Sequence, residues 1–328
     1  MKRNEKLSLQ GKSILVTGGA GFVGSHLVDR LVLEKPSQII VVDRVIKSRR
    51  KRDNLKEALE NFPDLKVIQL DVANFSGLEK LFNKYKISVV FHLAALSLIE
   101  SLKRPRKVVL ANVKTITNLM ELQRRKMFET IISVSSSESY GTALEIPMSE
   151  HHPLNPTTPY AASKAAADLI ALSYFKTFKN DISIVRPFNQ YGPRHNPIYK
   201  GIVTSTIEAL LANRSPVIYG TGGQTRDYIF VKDTALGIVE AYKNPVTRGQ
   251  IVNLGTGKMV SMKDLVSKLI AISKKDVEIK YVDARVADVK NHCANIELAK
   301  RSMNWKPSVK LDEGLKQTYE WFRKELAR

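Results

Sequence analysis

The sequence has very little cysteine: Cys293 is the one thiol in 328 residues. A single cysteine cannot form an internal disulfide, which excludes the class of small secreted domains that disulfides hold together. The six histidines are scattered, and no Cys/His cluster has the spacing of a zinc site, so we predict no metal centre. With 43% hydrophobic residues, a chain of this length can instead bury a substantial apolar core.

Long apolar runs are also missing. The longest ones, such as Ile39 to Val42, fall far short of the roughly 20 residues that a membrane span requires. The first six residues, MKRNEK, lead into a strand pattern and not into the apolar core of a secretory signal. We therefore expect a cytoplasmic protein that has no membrane partner.

Acidic residues are scarce relative to basic ones, with 32 Asp and Glu against 52 Lys and Arg and a formal net charge of +20. Such a surplus could attract an anionic substrate such as a nucleotide sugar, a nucleic acid or an acidic membrane surface. One tight basic run extends from Lys47 to Arg52. We interpret it as a solvated loop, because blocks of like charge are usually exposed.

Short β-branched runs alternate with helical patterns through the first half of the chain. The predicted strands are Ser13 to Thr17, Ile39 to Val42, Val67 to Leu70, Val89 to His92, Thr130 to Ser135 and Ile182 to Arg186. The predicted helices are Phe22 to Leu33, Ser76 to Lys84, Pro105 to Arg124 and Tyr160 to Phe178. This alternation predicts an α/β fold with a doubly wound parallel sheet of the Rossmann type.

After Arg186 the pattern loosens into turns, which indicates a second region. We predict a Rossmann domain over residues 1–186 and a smaller, mixed α/β substrate domain over residues 187–328. Part of about 226–255 is expected to return to the first domain. The second domain would close over the carboxyl ends of the strands, where open α/β sheets bind ligands.

A glycine-rich turn follows the first predicted strand. Gly18, Gly21 and Gly24 open a helix, so the backbone can approach a pyrophosphate at the helix N-terminus. Asp43 comes nineteen residues after Gly24, at the end of the second strand, where a carboxylate can bind the ribose hydroxyls of NAD and would repel a 2′-phosphate. Arg44 keeps NADP open as the less favoured cofactor, because an arginine here can accommodate that phosphate.

Tyr160 and Lys164 lie four residues apart at the start of a predicted helix, so their side chains share one face. An ammonium close to a phenol favours the phenolate and lowers the tyrosine pKa toward a range useful for proton abstraction. The pair predicts proton abstraction, with Tyr160 as the base.

Several motifs together resemble the extended short-chain dehydrogenase/reductase family, which includes nucleotide-sugar epimerases, dehydratases, decarboxylases and reductases. The motifs are Thr17 to Gly24, His92 to Ala95, Asn112, Tyr160 to Lys164, Arg186 to Arg194, Gln224 to Tyr228, Asn253 to Gly257 and Asn304 to Pro307. The resemblance covers nearly the whole chain and implies that NAD lies along one groove. The implied cofactor residues are Gly18, Gly21, Phe22, Val23, Gly24, Asp43, Arg44, Asp71, Val72, Leu93, Ala94, Ala95, Asn112, Tyr160 and Lys164.

Glu138 distinguishes among the activities of this family. In the resembling 4-epimerases a small residue fills this position, whereas a glutamate can remove the C5 proton once C4 has become a ketone, so that the C6 hydroxyl departs as water. The resemblance thus implies a nucleotide-sugar 4,6-dehydratase. Ser136 would hydrogen-bond O4, and Ser137 stands where dTDP-glucose dehydratases carry an aspartate suited to protonating the leaving hydroxyl, so the source of that proton stays open.

The substrate is expected to be a nucleoside-diphosphate sugar. The segment from Tyr140 to Tyr174 is most similar to UDP-N-acetylglucosamine 4,6-dehydratases, and the GDP-mannose 4,6-dehydratases also resemble this chain. Arginine matches phosphate oxygens with two parallel donors, so arginines are candidates for the diphosphate. The candidate substrate-binding residues are Ser97, Ser136, Asn189, Arg194, Arg226 and Arg285.

Alternative interpretations remain at this point. The protein could be a 4-epimerase in which Glu138 only caps a turn or pairs with Arg186, and a decarboxylase or a 4-keto-sugar reductase is less favoured. The positive charge could also indicate a binding protein for NAD or nucleic acid. The set of Ser136, Tyr160 and Lys164 argues against that class, so we predict no nucleic-acid partner. The small residues of the Tyr160 helix would allow a homodimer built as a four-helix bundle with the helix Pro105 to Arg124, as the family resemblance also implies.

Overall fold

A computed structural model describes residues 6–46, 48–199, 201–284 and 290–326. Within these residues, β-branched runs buried on both faces form a seven-stranded parallel sheet, as expected when helices cover both sides. Its strands are β1 (Ser13–Thr17), β2 (Gln38–Asp43), β3 (Leu65–Gln69), β4 (Val89–His92), β5 (Thr130–Val134), β6 (Asp181–Pro187) and β11 (Ile251–Leu254). They lie in the order β11-β6-β5-β4-β1-β2-β3. The predicted doubly wound α/β fold is confirmed.

Helices alternate with the strands along the chain, and some of them cover both faces of the large sheet. The α-helices of the described residues are α1 (Phe22–Val32), α2 (Arg49–Asn61), α3 (Phe75–Tyr85), α4 (Leu98–Lys103), α5 (Pro105–Arg124), α6 (Pro159–Phe178), α7 (Ile202–Leu211), α8 (Val231–Lys243), α9 (Met262–Ser273), α10 (Glu297–Met303) and α11 (Leu311–Leu326). α1, α2 and α8 contribute to the core on one face, and α3, α5 and α6 contribute to the core on the other. Each helix of these two layers buries an apolar stripe, which is the usual reason for a surface helix to dock.

The start of α6 is fixed by local sequence. The Thr158 hydroxyl accepts a hydrogen bond from the Ala161 N–H at 3.2 Å, and Pro159 occupies the first helical position. Both residue types are favoured there because they satisfy or remove backbone donors that a helix start leaves unpaired. Tyr160 and Lys164 therefore lie in the first turns of a helix whose origin is well defined.

The region after β6 builds small sheets of its own. These pair β7 (Asn189–Tyr191) with β10 (Tyr228–Phe230), β9 (Thr225–Arg226) with β12 (Val260–Ser261), and β8 (Val217–Tyr219) with β13 (Lys280–Val282). Helices α7, α9 and α11 pack beside them around a separate apolar cluster. The chain returns to the large sheet at β11, which pairs with β6. The domain boundary near residue 187 stays a prediction.

The interpretation of the basic run as a loop is wrong for most of its length. Arg49 to Arg52 form the beginning of α2, while Lys47 lies outside the described residues. The helix docks because Asn54, Leu55 and Ala58 are buried on one face, although the first turn is strongly basic. Helix formation here follows from that buried stripe, since tertiary packing stabilises most helices more than local propensity does.

Four lysines close helices of the sheet in the left-handed backbone conformation that more often belongs to glycine. Lys35, Lys86, Lys126 and Lys179 have φ between 46° and 61° and follow the ends of α1, α3, α5 and α6. Three of them line a shared cavity at the amino ends of the strands. A cation at a helix carboxyl end is favoured by the helix dipole, which offsets part of the backbone cost.

Within the described part of the chain, no helix is long and apolar enough to cross a membrane. The same residues contain no group of three or more His, Cys, Asp or Glu side chains that could hold a metal ion.

Candidate active site

A cavity of about 620 Å³ opens at the carboxyl ends of the strands, which is a volume typical of small-molecule sites. It follows the groove that the sequence predicted for the cofactor. The predicted cofactor residues that line it are Gly18, Gly21, Phe22, Asp43, Arg44, Asp71, Val72, Leu93, Ala94, Ala95 and Asn112. Residues from four strand ends and from the start of α1 therefore meet in one groove.

The glycine turn leaves no room for side chains at two positions. Gly18 has a φ of 70°, and a Cβ there would lie 2.9 Å from the Ala94 nitrogen. A Cβ at Gly24 would meet the Gly18 carbonyl oxygen and lie 2.7 Å from the Gly19 Cα. α1 begins after Gly21, which has no side chain to cap the first N–H groups. These donors can therefore meet a pyrophosphate at the positive end of the helix.

Asp43 ends β2 and is 9% exposed, with its carboxylate on the wall of the cavity. The Val45 N–H donates to Oδ1 at 3.2 Å, which fixes the side chain. The neighbouring Arg44 is exposed and lines the same cavity. The geometry suits a carboxylate that accepts hydrogen bonds from ribose hydroxyls, as expected for NAD.

Ser136, Glu138 and Tyr160 converge beside α6. Ser136 caps a short 3-10 turn, Ser137–Tyr140, in which the Glu138 N–H donates to the Ser136 hydroxyl at 3.3 Å. Burial raises the pKa of Tyr160 to about 12; a hydrogen bond with Ser136 opposes that shift, and the charge of Glu138 adds to it. The Ser136 hydroxyl is therefore within hydrogen-bonding reach of the phenol, and the Glu138 carboxylate is near enough for its charge to raise the Tyr160 pKa.

The expected effect of Lys164 on Tyr160 needs a correction. In the structure the Lys164 ammonium donates to the Val134 carbonyl at 2.7 Å, and the Tyr160 pKa is raised, not lowered. Burial also lowers the pKa of Lys164, while Asp168 opposes that shift. Burial of the phenol is the largest influence on the Tyr160 pKa, and Lys164 is not among the groups that shift it.

A buried ion pair supports the catalytic helix from below. Asp168 of α6 accepts hydrogen bonds from the Ser135 hydroxyl at 2.7 Å and from Arg186 at 2.8 and 2.9 Å. The guanidinium of Arg186 also lies 4.6 Å from the centroid of the Tyr140 ring. Arg186 is thus engaged with Asp168, which weakens the alternative in which its main role is to pair with Glu138.

Ser137 is placed differently from its neighbours in the turn. Its side chain is 3% exposed, and its hydroxyl lies 3.5 Å from Nδ1 of His292. Ser136 and Glu138 are partly exposed on either side of it. This placement does not favour Ser137 as a group that touches the sugar; its predicted catalytic role stays a prediction.

Two candidate substrate residues lie in the second region, on strands next to the sheet edge. The Asn189 Oδ1 is buried and has no hydrogen-bond partner among the described residues, so a ligand donor would remove the cost of an unpaired acceptor. Arg226 is 6% exposed and donates to the Thr225 carbonyl at 2.9 Å. Arg285, the third candidate from this region, lies outside the described residues.

Arg194 and Ser97, also expected at the substrate, line the cofactor cavity. Ser97 caps α4, where its hydroxyl accepts from the Glu100 N–H at 3.3 Å. Arg194 belongs to a loop after β7 that we call the strap, residues 193–199. Asn196 and Tyr199 of the strap also line the cavity, and sequence reasoning missed them.

Pro193 and Arg194 end the motif that begins at Arg186, but the rest of the strap carries no periodic pattern and no motif, and its signal in the sequence is limited to the turn residue Pro197. Its position depends on contacts with α1, which lies far away in the chain. His195 stacks on Phe22 with ring centroids 4.4 Å apart, at the glycine turn. Asn54 of α2, also missed, donates to the Ala20 carbonyl at 3.1 Å and braces the same turn.

Comparisons with known proteins identify the family of this chain. The family described as GDP-mannose 4,6 dehydratase matches residues 15–318. A UDP-glucose 4-epimerase of Mycolicibacterium smegmatis is 35% identical over 94% of this chain and 98% of that protein. A dTDP-D-glucose 4,6-dehydratase of Bos taurus is 33% identical over 95% of this chain and 89% of that protein.

A solved relative has the same architecture. The dTDP-glucose 4,6-dehydratase of Streptomyces venezuelae, determined with NAD bound, superposes with a TM-score of 0.89 at 27% identity and covers 96% of this chain and 98% of its own. The cofactor expected from the sequence, NAD, is the cofactor bound in this relative. The chain belongs to the GDP-mannose 4,6 dehydratase family, within the extended short-chain dehydrogenase/reductases that act on nucleotide sugars.

Proposed function

We propose that this protein is an NAD-dependent nucleotide-sugar 4,6-dehydratase that converts a nucleoside-diphosphate hexose to its 4-keto-6-deoxy form. The observation that carries the proposal is the placement of Glu138 beside Tyr160 and Ser136, where its charge reaches the phenol. An elimination needs a second acid-base group at this position, because a proton must be removed from C5. A 4-epimerase returns the hydride to C4, and no step of its reaction removes the C5 proton.

The groove supports NAD as the cofactor. Its glycine turn presents the N-terminal donors of α1, and Asp43 places a carboxylate where ribose hydroxyls would lie. When bound, NAD supplies the hydride acceptor for the sugar's C4 carbon, and its cationic nicotinamide ring would favour the phenolate of a nearby tyrosine. The same carboxylate disfavours NADP.

The side chains of the chain divide the proton transfers. Tyr160 takes the C4 hydroxyl proton. Ser136, which hydrogen-bonds the Tyr160 phenol, also hydrogen-bonds the sugar O4. Lys164, anchored on the Val134 carbonyl, holds the nicotinamide ribose. Glu138 then removes the C5 proton, and the C6 hydroxyl takes up a proton and leaves as water. The hydride taken from C4 would return to C6 while a proton adds to C5, so that the net change is the loss of one water. General acid-base catalysis of this kind contributes about 100- to 10,000-fold to a rate.

A substrate panel tests the proposal. Purified protein is incubated with UDP-N-acetylglucosamine, GDP-mannose and dTDP-glucose, and products are analysed by mass spectrometry for the loss of one water. Glu138→Gln should reduce turnover by about 100-fold or more, because it removes a general base. Glu145→Gln, a change at an exposed glutamate on the following loop, is the matched control and should retain full turnover.

The second candidate is a nucleotide-sugar 4-epimerase, favoured by the identity with the Mycolicibacterium smegmatis enzyme. In that case the panel gives a product of unchanged mass, and Glu138→Gln has little effect. Either result decides between the two reactions.

We also propose that the protein is a homodimer through α5 and α6. These helices pack against each other and leave Leu110 and Leu169 more than half exposed. Apolar side chains exposed on adjacent helices suit a second copy of the same surface, because burying them removes apolar area from water. Light scattering of the purified protein should give twice the chain mass, and Leu110→Lys with Leu169→Lys should give the monomer.

A further inference from the structure

His292 lies beneath the turn that carries Ser136 and Glu138, although it comes from the far end of the chain. Its side chain is 1% exposed and packs on Phe188, with ring centroids 5.2 Å apart. Nε2 lies 3.1 Å from the Gly141 carbonyl oxygen, and Nδ1 lies 3.5 Å from the Ser137 hydroxyl. One imidazole therefore contacts the first residue of the turn and the residue that follows its last.

The two contacts fix the state of the ring. A carbonyl oxygen can only accept, so Nε2 carries the hydrogen, and Nδ1 of the neutral ring presents its lone pair to the Ser137 hydroxyl. Burial and the charge of Arg226 lower the His292 pKa to about 4. The ring is therefore neutral near pH 7, and each ring nitrogen has one defined role.

The turn needs an external support of this kind. It is a single 3-10 turn, and the backbone hydrogen bonds of such a turn have poorer geometry than those of an α-helix. Gly141 has a φ of 70°, and a Cβ there would meet the Asn155 carbonyl oxygen. The turn thus ends against fixed backbone on one side and against His292 beneath.

The segment that holds His292 also reaches the proposed substrate side. The Lys290 carbonyl accepts from Arg226 at 3.4 Å, and Asn291 accepts from the Thr225 hydroxyl at 3.0 Å. Residues 290–292 therefore contact both the strand of Arg226 and the turn of Glu138.

We propose that His292 is a positioning residue that holds the turn of Ser136 and Glu138 in register with Tyr160. The inference rests on the proposed function, because it assigns the turn to the sugar. His292 acts through Ser137 and Gly141 and not on the sugar itself. Ser137 is then an anchor of the turn, which accounts for its burial next to two partly exposed neighbours.

The test compares two substitutions at His292. His292→Leu removes both hydrogen bonds and keeps an apolar side chain against Phe188, whereas His292→Gln retains one donor and one acceptor. We expect His292→Leu to lower kcat by about 10- to 100-fold, because small displacements of reacting groups have effects of that size. KM for the nucleotide sugar should change less than about two-fold, since the contacts that bind it are made elsewhere. His292→Gln should recover most of kcat.

Two further variants keep the result interpretable. Ser137→Ala removes the anchor hydroxyl alone, and the double variant with His292→Leu should be no slower than His292→Leu, because residues that act through one contact are not additive. His151→Leu, at an exposed histidine, should leave kcat unchanged. All variants are compared at a temperature at which circular dichroism shows them folded.

The proposal is overturned if His292→Leu keeps the wild-type kcat, or if kcat and KM change together in both His292 variants without recovery by Gln. The wild-type product is identified in the same experiment. If that product is an epimer, the dehydratase proposal fails while the comparison of kcat values still judges His292.

Discussion

The guanidinium of Arg194 lies 2.6 Å from the carboxylate of Asp29 and so ties the strap to α1. The same guanidinium lies 3.6 Å from Glu57 of α2. Both helices belong to the layer that borders the cofactor groove. The strap comes from the second region of the chain and lines the groove through Arg194, Asn196 and Tyr199, so this ion pair holds part of the groove wall against α1.

Because the Arg194–Asp29 ion pair holds the strap at the groove, we expect it to slow the release of NAD. Arg194→Ala should raise the dissociation rate of bound NAD about two- to five-fold, the effect expected for losing a partly exposed ion pair of up to about 1 kcal/mol. Stopped-flow displacement of a fluorescent NAD analogue measures the rate. Lys12→Ala removes an ion pair with Glu129 at the opposite end of the sheet and serves as the control. Equal rates for Arg194→Ala and wild type would contradict the role of the strap.

Gly24 predicts a second effect at the same groove. A Cβ at this position would meet the backbone of Gly18 and Gly19, which cannot move without opening the turn. Gly24→Ala should therefore weaken NAD binding by at least about ten-fold, or 1.4 kcal/mol. Isothermal titration gives the constant. Gly223→Ala, where the nearest atom would lie 3.4 Å from the new Cβ, should bind NAD normally. Normal binding by Gly24→Ala would mean that the turn does not hold the pyrophosphate.

His92 predicts a dependence of stability on pH. Burial and the charge of Lys164 lower its pKa from 6.5 to about 3 in the folded protein. Below pH 6.5 the unfolded chain binds a proton that the folded chain does not, so stability falls as the pH falls toward the folded pKa. The slope contributed by one such group approaches about 1.4 kcal/mol per pH unit.

The contribution of His92 is separated by comparison with His92→Asn, because buried carboxyl groups such as Asp227 have raised pKa values and act in the opposite direction in both proteins. Urea unfolding at pH 7, 6, 5 and 4 gives the two curves. The wild type should lose more stability than the variant between pH 6.5 and 4. Parallel curves would show that His92 is protonated equally in the folded and unfolded states.

Local patterns predicted the Rossmann half well. The strands were visible because buried parallel strands are nearly continuous β-branched runs, and the ends of α5 were predicted correctly. The groove followed from the same patterns, since Gly18 and Asp43 stand directly at strand ends. Residues whose position depends only on their own strand or turn can be placed from sequence.

The features that sequence reasoning missed depend on distant partners. In the sequence, the basic start of α2 obscures the apolar pattern of Leu55 and Ala58, which are buried in the structure. The charge of that segment suggested a loop. Tyr199 and His292 reach the site by contacts with residues more than a hundred positions away, and no local spacing encodes such contacts. The pKa of Tyr160 was predicted in the wrong direction, because proximity in the helix says nothing about desolvation.

The lysines that end α1, α3, α5 and α6 change how the charge of +20 should be understood. In a parallel sheet the connecting helices run opposite to the strands, so their carboxyl ends, and these lysines, face away from the cleft. Three of these lysines, Lys86, Lys126 and Lys179, accordingly line a cavity separate from the nucleotide groove. Part of the excess charge thus lies on residues that end helices, and this part requires no polyanionic partner to explain it.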